Sequence, residues 1–347
     1  MDGYRAPRWL GGGAAFGDGA VGGNLQTLWP ALFSRHAAAA PAWRRERWDT
    51  PDGDFVDVDF QHPQPCEAMV ERGAATATAA SRDVPWLVLF HGLEGSSRSP
   101  YAQAFAHWAG RHGWACAVPH FRGCSGEINR APRAYHSGDH EEIGWLLARL
   151  RARSARPLVA VGVSLGGNAL LRWAEEAGDS AAAVTRAVCA VSSPVDLAAG
   201  GHAIGRGFNA QVYTRLFLNT MRPKALAKLA QFPGLFDGDA LRAARTLHRF
   251  DDVFTAPLHG FRDADDYWRR ASAKPHLHAI RVPTLLLNAR NDPFVPAASL
   301  PAAHEVGAHV TLWQPAHGGH VGFPAGRPPG HRLALPEAVM DWVARAS

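Results

Sequence analysis

The sequence predicts an α/β fold, in which a mostly parallel sheet is covered by helices on both faces. Short apolar runs, each bounded by glycine, proline or polar residues, are typical of strands that are buried on both faces. Helical patterns lie between these runs, and strands that alternate with helices build right-handed βαβ units. The predicted strands are 86–90, 115–121, 158–163, 187–191, 284–287 and 310–314, and the predicted helices are 100–112, 138–153, 165–177 and 335–346.

The composition is that of a large globular protein. Hydrophobic residues make up 47% of the 347 positions and charged residues 19%, which excludes disordered, collagen-like and coiled-coil chains. The longest apolar stretch, residues 84–90, is far shorter than the ~20 residues of a membrane span. The first residues lack the apolar segment of a signal peptide. We therefore expect a cytoplasmic protein without a stable membrane anchor.

The formal net charge of +5 raises the question of a nucleic-acid partner. The basic residues are almost all arginines, and they are scattered along the chain rather than gathered in one segment. A nucleic-acid site needs basic residues clustered on one face, so we expect no nucleic-acid partner. The four cysteines form no C-x-x-C pair and are expected to be reduced thiols.

Four segments are expected along the chain. Residues 1–44 are rich in glycine and alanine and predict an irregular arm packed on the core, with a polar-aromatic island at 24–30. Residues 45–195 form the first part of the core and begin with a hairpin around Asp52-Gly53. Residues 196–280 lack any strand pattern and predict a helical cap over the carboxyl edge of the sheet, or alternatively an ordinary flanking helical layer. Residues 281–347 complete the core.

The strongest chemical signal is the pentapeptide Gly162-Val163-Ser164-Leu165-Gly166, which links a predicted strand to a predicted helix. This is a G-x-S-x-G motif in the strand–turn–helix context that a nucleophilic serine requires. The strained turn makes the Ser164 hydroxyl project above the sheet, and the glycines keep side chains out of the narrow gap. The helix N-terminus also directs N–H dipoles at developing negative charge. Ser164 is therefore the predicted nucleophile.

A nucleophilic serine needs a histidine base and an acid, which follow it in the order acid, then histidine. Asp292 stands directly after the predicted strand 284–287, and Asp196 is an alternative acid one strand earlier. The glycine-rich loop after the last strand offers two histidines, His317 and His320. These two histidines also resemble a metal-binding pair, but no third ligand lies nearby at a suitable spacing, so we predict no metal site here.

Backbone N–H groups are expected to stabilise the negative charge that develops during the reaction. One is the N–H of Leu165, which follows the nucleophile, and the other is the N–H of Leu93 in the loop after strand 86–90. His91 is expected to shape this loop rather than to act as a base. Glu94 is an unusual neighbour for a developing anion, and its role stays open.

An apolar stripe at helical spacing lies within the predicted cap. Its members are Phe208, Val212 and Leu216, together with Tyr213, Phe217 and Met221. A cap over the carboxyl edge would turn part of this stripe toward the substrate. We therefore expect Phe208, Phe217 and Met221 to line an apolar substrate pocket.

Together these motifs resemble one family, the YheT-like branch of the α/β-hydrolase superfamily, which includes bacterial YheT and mammalian α/β-hydrolase-domain lipases. The resemblance runs from Asn24 almost to the C-terminus, and its blocks are 25–27, 91–96, 120–126, 162–168, 250–268, 292–294 and 318–323. It implies an α/β-hydrolase fold with a twisted sheet of about eight strands and an inserted helical cap. It also implies a catalytic triad of Ser164, Asp292 and His320, without a cofactor or metal.

The predicted function is that of a serine hydrolase, which cleaves carboxylic esters through an acyl-enzyme intermediate. The substrate is expected to be a small-molecule ester with a short to medium acyl chain, or a lipid-like ester. Two alternatives stay open: an acyltransferase that uses the same triad, and a ligand-binding protein that has the fold without catalysis. The oligomeric state does not follow from the sequence.

Overall fold

The fold is described from a computed structural model, which covers residues 4, 6–7, 10, 20–34, 41–62 and 84–346. Eight strands form one sheet: β1 (Arg44–Asp49), β2 (Phe55–Gln61), β3 (Trp86–Phe90), β4 (Ala115–Pro119), β5 (Leu158–Val163), β6 (Thr185–Val191), β7 (Thr284–Leu287) and β8 (Val310–Trp313). Their order across the sheet is β1-β2-β4-β3-β5-β6-β7-β8. Strand β2 pairs antiparallel with β1 and β4, and all other pairs are parallel. The predicted fold class is confirmed.

Helix α1 (Ala20–Phe33) precedes the first strand. The other helices connect strands or follow the last one: α2 (Pro100–Arg111), α3 (His140–Arg151), α4 (Leu165–Ala177), α5 (Ala181–Val184), α6 (Leu197–Ile204), α7 (Gly207–Asn209), α8 (Arg215–Gln231), α9 (Gly238–Ala243), α10 (Leu247–Phe250), α11 (Ala256–Leu258), α12 (Ala264–Ala271) and α13 (Ala334–Ala346). Two π-helical turns, Ala210–Thr214 and Asp251–Thr255, interrupt the α-helical segments. Single 3₁₀ turns lie at Gly178–Ser180, Lys274–Ala279, Ala297–Ser299 and Ala303–Glu305.

The core consists of two apolar layers, one on each face of the sheet. Val88 and its neighbours on one face pack against Leu147 of α3 and Leu170 of α4. Leu89 and its neighbours on the other face pack against Phe105 of α2 and further residues of α13. Because both faces are buried, the strands consist of continuous apolar runs rather than of alternating apolar and polar residues.

The predicted irregular arm is wrong where the structure describes it, because residues 20–33 form the helix α1. Gly22, Gly23 and Pro30 give this segment a low intrinsic helix propensity, which is why the sequence favours irregular structure. Contacts with distant parts of the chain outweigh that propensity: the side chain of Gln26, for example, is completely buried and accepts a hydrogen bond from the Gly318 N–H. Much of the remaining arm lies outside the described residues.

Residues 192–283, all of which are described, contain helices and turns but no strand. Part of this segment has an apolar cluster of its own, built around Leu218, Leu241 and Phe250. The domain boundaries at 195/196 and 280/281 stay predictions. Within the described part of the chain, no helix combines the length and the apolar content that crossing a membrane requires.

Candidate active site

Ser164 occupies a tight turn between β5 and α4. Its backbone φ is 53°, in the region that residues with a side chain rarely adopt. A Cβ atom at Gly162 would lie 2.5 Å from the carbonyl oxygen of Gly166, and one at Gly166 would lie 2.5 Å from that of Phe90. Only glycine fits these two positions, so the G-x-S-x-G spacing follows from the close approach of strand and helix.

The structure brings Ser164, His320 and Asp292 together in one chain of hydrogen bonds. The Ser164 Oγ lies 3.0 Å from the His320 Nε2, and the His320 Nδ1 lies 2.9 Å from the Asp292 Oδ2. Since an ionised carboxylate only accepts hydrogen bonds, Nδ1 carries the proton and the neutral ring accepts from the serine through Nε2. This is the geometry of a Ser–His–Asp triad.

The Asp292 carboxylate is held in place by its surroundings. Its side chain is completely buried, and its second oxygen accepts hydrogen bonds from the N–H groups of Phe294 at 2.8 Å and Val295 at 3.3 Å. The ring of Phe294 lies against the His320 imidazole, with 4.2 Å between their centroids. These contacts fix both the carboxylate and the plane of the imidazole.

The two alternatives that the sequence left open lie elsewhere. The Asp196 carboxylate caps α6 and accepts a hydrogen bond of 3.0 Å from the Ala199 N–H. Of the two histidines in the glycine-rich loop, His320 is the one that links Ser164 with an acid, whereas His317 is not part of that hydrogen-bonded chain.

Helix α1 holds the backbone of the histidine loop, which the sequence analysis did not anticipate. The Gln26 Oε1 accepts from the Gly318 N–H at 2.9 Å, and the Thr27 Oγ1 accepts from the His320 N–H at 2.8 Å. A Cβ atom at Gly322 would lie 1.8 Å from the Gln26 carbonyl oxygen. The loop can therefore lie this close to the helix only because residue 322 is glycine. In the sequence, these contacts are indicated only by the polar-aromatic island at 24–30, which does not show which residues it contacts.

A third polar side chain, Asn291, connects α1 to the same loop. Its Oδ1 accepts from the Gly319 N–H at 3.0 Å, and its Nδ2 donates to the Gln26 Oε1 at 2.9 Å. Asn291 immediately precedes Asp292. The loop that supplies the acid, the loop that supplies the histidine and helix α1 therefore share one network of hydrogen bonds.

The N–H groups of Leu93 and Leu165 are available for an oxyanion. Within the described part of the chain, neither of them donates a hydrogen bond. The Leu93 loop lies directly beside Ser164, since a Cβ atom at Gly92 would be 3.2 Å from the Ser164 Cβ. The Gly92 N–H is itself held by the Tyr101 hydroxyl at 2.9 Å, which fixes the loop.

His91 shapes the loop through both of its ring nitrogens. It is completely buried, with Nδ1 placed 2.8 Å from the Gly92 carbonyl oxygen and Nε2 accepting from the Phe121 N–H at 3.0 Å. Burial, reinforced by the nearby His120, lowers the pKa of His91 to about 3. The ring is therefore neutral and serves as a fixed hydrogen-bonding element of the loop.

Glu94 points toward the segment between β6 and β7 rather than toward the oxyanion position. Its carboxylate forms an ion pair of 2.7 Å with the Lys224 Nζ of α8 and accepts a hydrogen bond of 2.9 Å from the Tyr135 hydroxyl. The same hydroxyl accepts from the Glu94 N–H at 3.0 Å. Glu94 thus connects the loop that carries Leu93 with α8, a role that the sequence left open.

An apolar cavity opens beside Ser164. Phe217 and Met221 line it, together with Phe294 and Trp268. That this cavity holds a substrate stays a prediction. A neighbouring cavity has Glu94 and Lys224 in its wall. The two cavities share the wall residues Leu93, Leu165, Met221, Asp251 and Tyr267.

The expectation for Phe208 is wrong. Its side chain is 54% exposed and does not line the cavity that contains Ser164. Phe208 and Phe217 belong to two different i+4 rows, and at 3.6 residues per turn their separation of nine residues puts them about half a turn apart, on opposite sides of the segment.

Asp251 is an acidic residue in the wall that the two cavities share. Its carboxylate accepts hydrogen bonds from the Thr255 Oγ1 at 2.6 Å and the Trp268 Nε1 at 2.8 Å. Burial raises the pKa of Asp251 to about 6, because charging the carboxylate there means removing it from water. The sequence analysis did not identify this residue.

In the described ranges, no three His, Cys, Asp or Glu side chains come together in a group that could hold a metal ion. The absence of a metal or cofactor stays a prediction. Activity measurements test this prediction, and the arrangement of possible ligand side chains does not.

Comparisons with known proteins identify the fold and the family of the chain. The family model described as alpha/beta hydrolase fold matches residues 85–326. The chain is 39% identical to "Putative esterase YheT" of Escherichia coli (strain K12), over 92% of this chain and 89% of that protein. It is 27% identical to "Phospholipase ABHD3" of Mus musculus, over 81% of this chain and 66% of that protein.

Solved structures show the same fold at low sequence identity. Est1E from Butyrivibrio proteoclasticus, solved with ferulic acid bound, aligns with a TM-score of 0.53 at 14% identity, over 87% of this chain and 98% of that one. The matched family model covers the whole region from the Leu93 loop to the histidine loop. The chain therefore belongs to the YheT-like branch of the α/β-hydrolase superfamily.

Proposed function

We propose that this protein is a serine esterase, which cleaves carboxylic esters with Ser164 as nucleophile, His320 as general base and acid, and Asp292 as the residue that orients the histidine. The observation that carries the proposal is the hydrogen-bonded chain from Ser164 through His320 to Asp292. Beside it lie two backbone N–H groups without an acceptor in the described chain, those of Leu93 and Leu165.

In the first half of the reaction, the Ser164 Oγ attacks the ester carbonyl carbon while the His320 Nε2 takes the hydroxyl proton. The carbonyl oxygen becomes negatively charged, and the Leu93 and Leu165 N–H groups donate hydrogen bonds to it. The tetrahedral intermediate then expels the alcohol, whose oxygen receives the proton from His320. The acyl group stays bound to Ser164.

In the second half, a water molecule attacks the acyl-enzyme and gives its proton to the His320 Nε2. The intermediate collapses, His320 returns the proton to the Ser164 Oγ, and the carboxylic acid leaves. Asp292 accepts the Nδ1–H of His320 throughout, which keeps the ring in the required tautomer and stabilises the imidazolium.

The cavity beside Ser164 supports an ester with an apolar acyl chain. Aliphatic and aromatic side chains, including Phe217, Met221 and Trp268, make up most of its wall. Such walls bind alkyl chains through burial of apolar surface. The mouse relative is named a phospholipase, which fits a lipid-like ester as the substrate of this chain also.

Labelling with a fluorophosphonate and hydrolysis of p-nitrophenyl butyrate test the proposal. We expect the wild-type protein to react with the fluorophosphonate and to hydrolyse the ester. Ser164→Ala should abolish labelling and lower kcat by about 10⁴-fold to 10⁶-fold. Ser180→Ala, a change of an exposed serine, is the matched control and should behave as wild type. A Ser164→Ala protein that retains more than about a tenth of the wild-type rate would refute the mechanism, because the nucleophile accounts for a far larger factor.

The products distinguish hydrolysis from acyl transfer. When an alcohol is added, an esterase still releases mainly the free carboxylic acid. An acyltransferase mainly transfers the acyl group to the added alcohol and forms a new ester. If the wild-type and Ser164→Ala proteins were labelled equally, and neither hydrolysis nor acyl transfer occurred, the result would instead indicate a ligand-binding protein.

A further inference from the structure

The exposed apolar side chains of the described protein are concentrated on two segments. Every large hydrophobic residue that the described part leaves exposed lies on α1 or on the segment from α7 to the start of α8: Val21, Leu25, Leu32, Phe33, Phe208 and Leu216. Five of these six are more than half exposed, and Leu25 is 39% exposed. Large exposed apolar patches on a protein surface indicate an interaction site.

The two segments adjoin each other. Leu28 of α1 and Val212 of the π-helical turn pack against the same cluster, which includes Tyr213 and Phe294. The Tyr213 hydroxyl also bonds the Asn24 Oδ1 of α1 at 2.8 Å, and the Phe208 ring lies against that of Tyr213. Val21, Leu25, Leu28 and Leu32 follow one another at helical spacing on one side of α1. The two segments therefore adjoin in one surface, and we name its exposed residues Val21, Leu25, Leu32, Phe208 and Leu216 the apolar face.

The charges on the two segments that carry the apolar face have one sign between Asp196 and Asp237. Residues 20–34 contain no charged side chain, and residues 197–236 contain five lysines and arginines but no aspartate or glutamate. Arg206 lies two residues before Phe208 in the sequence, and Arg215 directly precedes Leu216. Both arginines are exposed. Neither arginine forms an ion pair with a described residue. Two copies of such a face would repel each other, whereas an anionic surface would attract it.

We propose that the apolar face docks onto an anionic lipid surface. Apolar side chains on a helical platform insert into the boundary between headgroups and acyl chains, while flanking arginines pair with lipid phosphates. The opposite side of the same helical segment carries Phe217 and Met221, which line the cavity at Ser164. Docking would therefore bring a lipid surface to the helices that enclose the proposed ester site. Binding to lipid does not require ester hydrolysis, so this proposal and the proposed function fail separately.

Vesicle co-sedimentation of the full-length Ser164→Ala protein tests the proposal, because this variant binds without consuming lipid. We expect binding to vesicles of phosphatidylglycerol mixed with phosphatidylcholine, and much weaker binding to phosphatidylcholine alone. The double variant Phe208→Glu/Leu216→Glu should lower the partition coefficient at least about tenfold, since charged groups oppose insertion. Arg206→Gln and Arg215→Gln should each lower it about fivefold on anionic vesicles only.

The matched control is Ala182→Glu/Ala183→Glu, which adds the same two charges at exposed positions on α5, just before the start of β6. It should bind as the parent does, and thermal unfolding should show that all variants are folded. Absence of binding by the folded parent to anionic vesicles would overturn the proposal. So would a dimer in sedimentation that Phe208→Glu/Leu216→Glu dissociates, because the occupant of the face would then be a second copy of this chain.

Discussion

The hydroxyl oxygen of Thr27 accepts a hydrogen bond of 2.8 Å from the backbone N–H of His320, which lies 293 residues further along the chain. The same hydroxyl donates to the Gly23 carbonyl oxygen at 2.7 Å, so its orientation is fixed within α1. Thr27 does not line the cavity at Ser164. Its contact with the site is through the backbone that carries the imidazole, which makes it a positioning residue in the proposed mechanism.

Thr27→Val should lower kcat by about tenfold to a hundredfold, because a small displacement of a catalytic group is costly and the His320 N–H loses its acceptor. KM should change little, since Thr27 does not border the cavity. Thr27→Ser keeps the hydroxyl and should restore most of kcat. Steady-state kinetics on a p-nitrophenyl ester measure both effects. A Thr27→Val protein with the wild-type kcat would show that α1 does not position the histidine.

Asp292→Asn should lower kcat by about 10⁴-fold, because an amide in place of the carboxylate favours the wrong histidine tautomer. Asp196→Asn is the matched control. Asp196 caps α6, and asparagine caps helices as well as aspartate does, so this variant should stay close to the wild-type rate. If Asp196→Asn lowered kcat more than Asp292→Asn did, Asp196, which follows the preceding strand, would be the acid of the triad.

The strands could be predicted because their local composition is sufficient. The predicted bounds 86–90, 158–163 and 284–287 agree with β3, β5 and β7, since strands buried on both faces form continuous apolar runs. The nucleophile turn was equally local, because the glycine requirement arises within residues 162–166 and their contact with the preceding strand.

The missed features depend on contacts between distant residues. Helix α1 has a poor local helix pattern, and its stabilising partners Asn291 and Gly318 lie far along the chain. The partner of Glu94 is Lys224, which is 130 positions away and belongs to another segment. Neither periodicity nor composition encodes such pairings.

Asp251 should make stability depend on pH. Burial raises its pKa from 3.8 to about 6, so between these values the unfolded chain has lost the proton while the native protein retains it. Stability therefore falls as the pH rises through this range, and above pH 6 the native state carries the full cost of the buried charge, at most about 3 kcal/mol.

Asp251→Asn removes that cost and retains an oxygen that accepts from Trp268. We expect its free energy of unfolding to match that of the wild type near pH 4 and to exceed it increasingly up to about pH 6, with a constant difference above. Denaturant unfolding at a series of pH values measures the difference. Asp239→Asn makes the same charge change at a side chain that is 96% exposed and controls for net charge. A difference that is independent of pH would show that Asp251 is charged at little cost in the native protein.

The cavity at Ser164 should set the preferred acyl length. Each CH₂ group that enters an apolar cavity contributes up to ~0.8 kcal/mol, nearly fourfold in kcat/KM, until the cavity is full. We therefore expect kcat/KM for p-nitrophenyl esters to rise from acetate to medium-chain esters and then to fall. Met221→Ala and Phe217→Ala enlarge the cavity and should move the optimum to longer chains, with Met221→Ala the cleaner test because Phe217 also contacts Phe294. Phe208→Ala removes an exposed ring and should leave the optimum in place. A rate that declines steadily from acetate in all four proteins would show that these side chains only pack the interior.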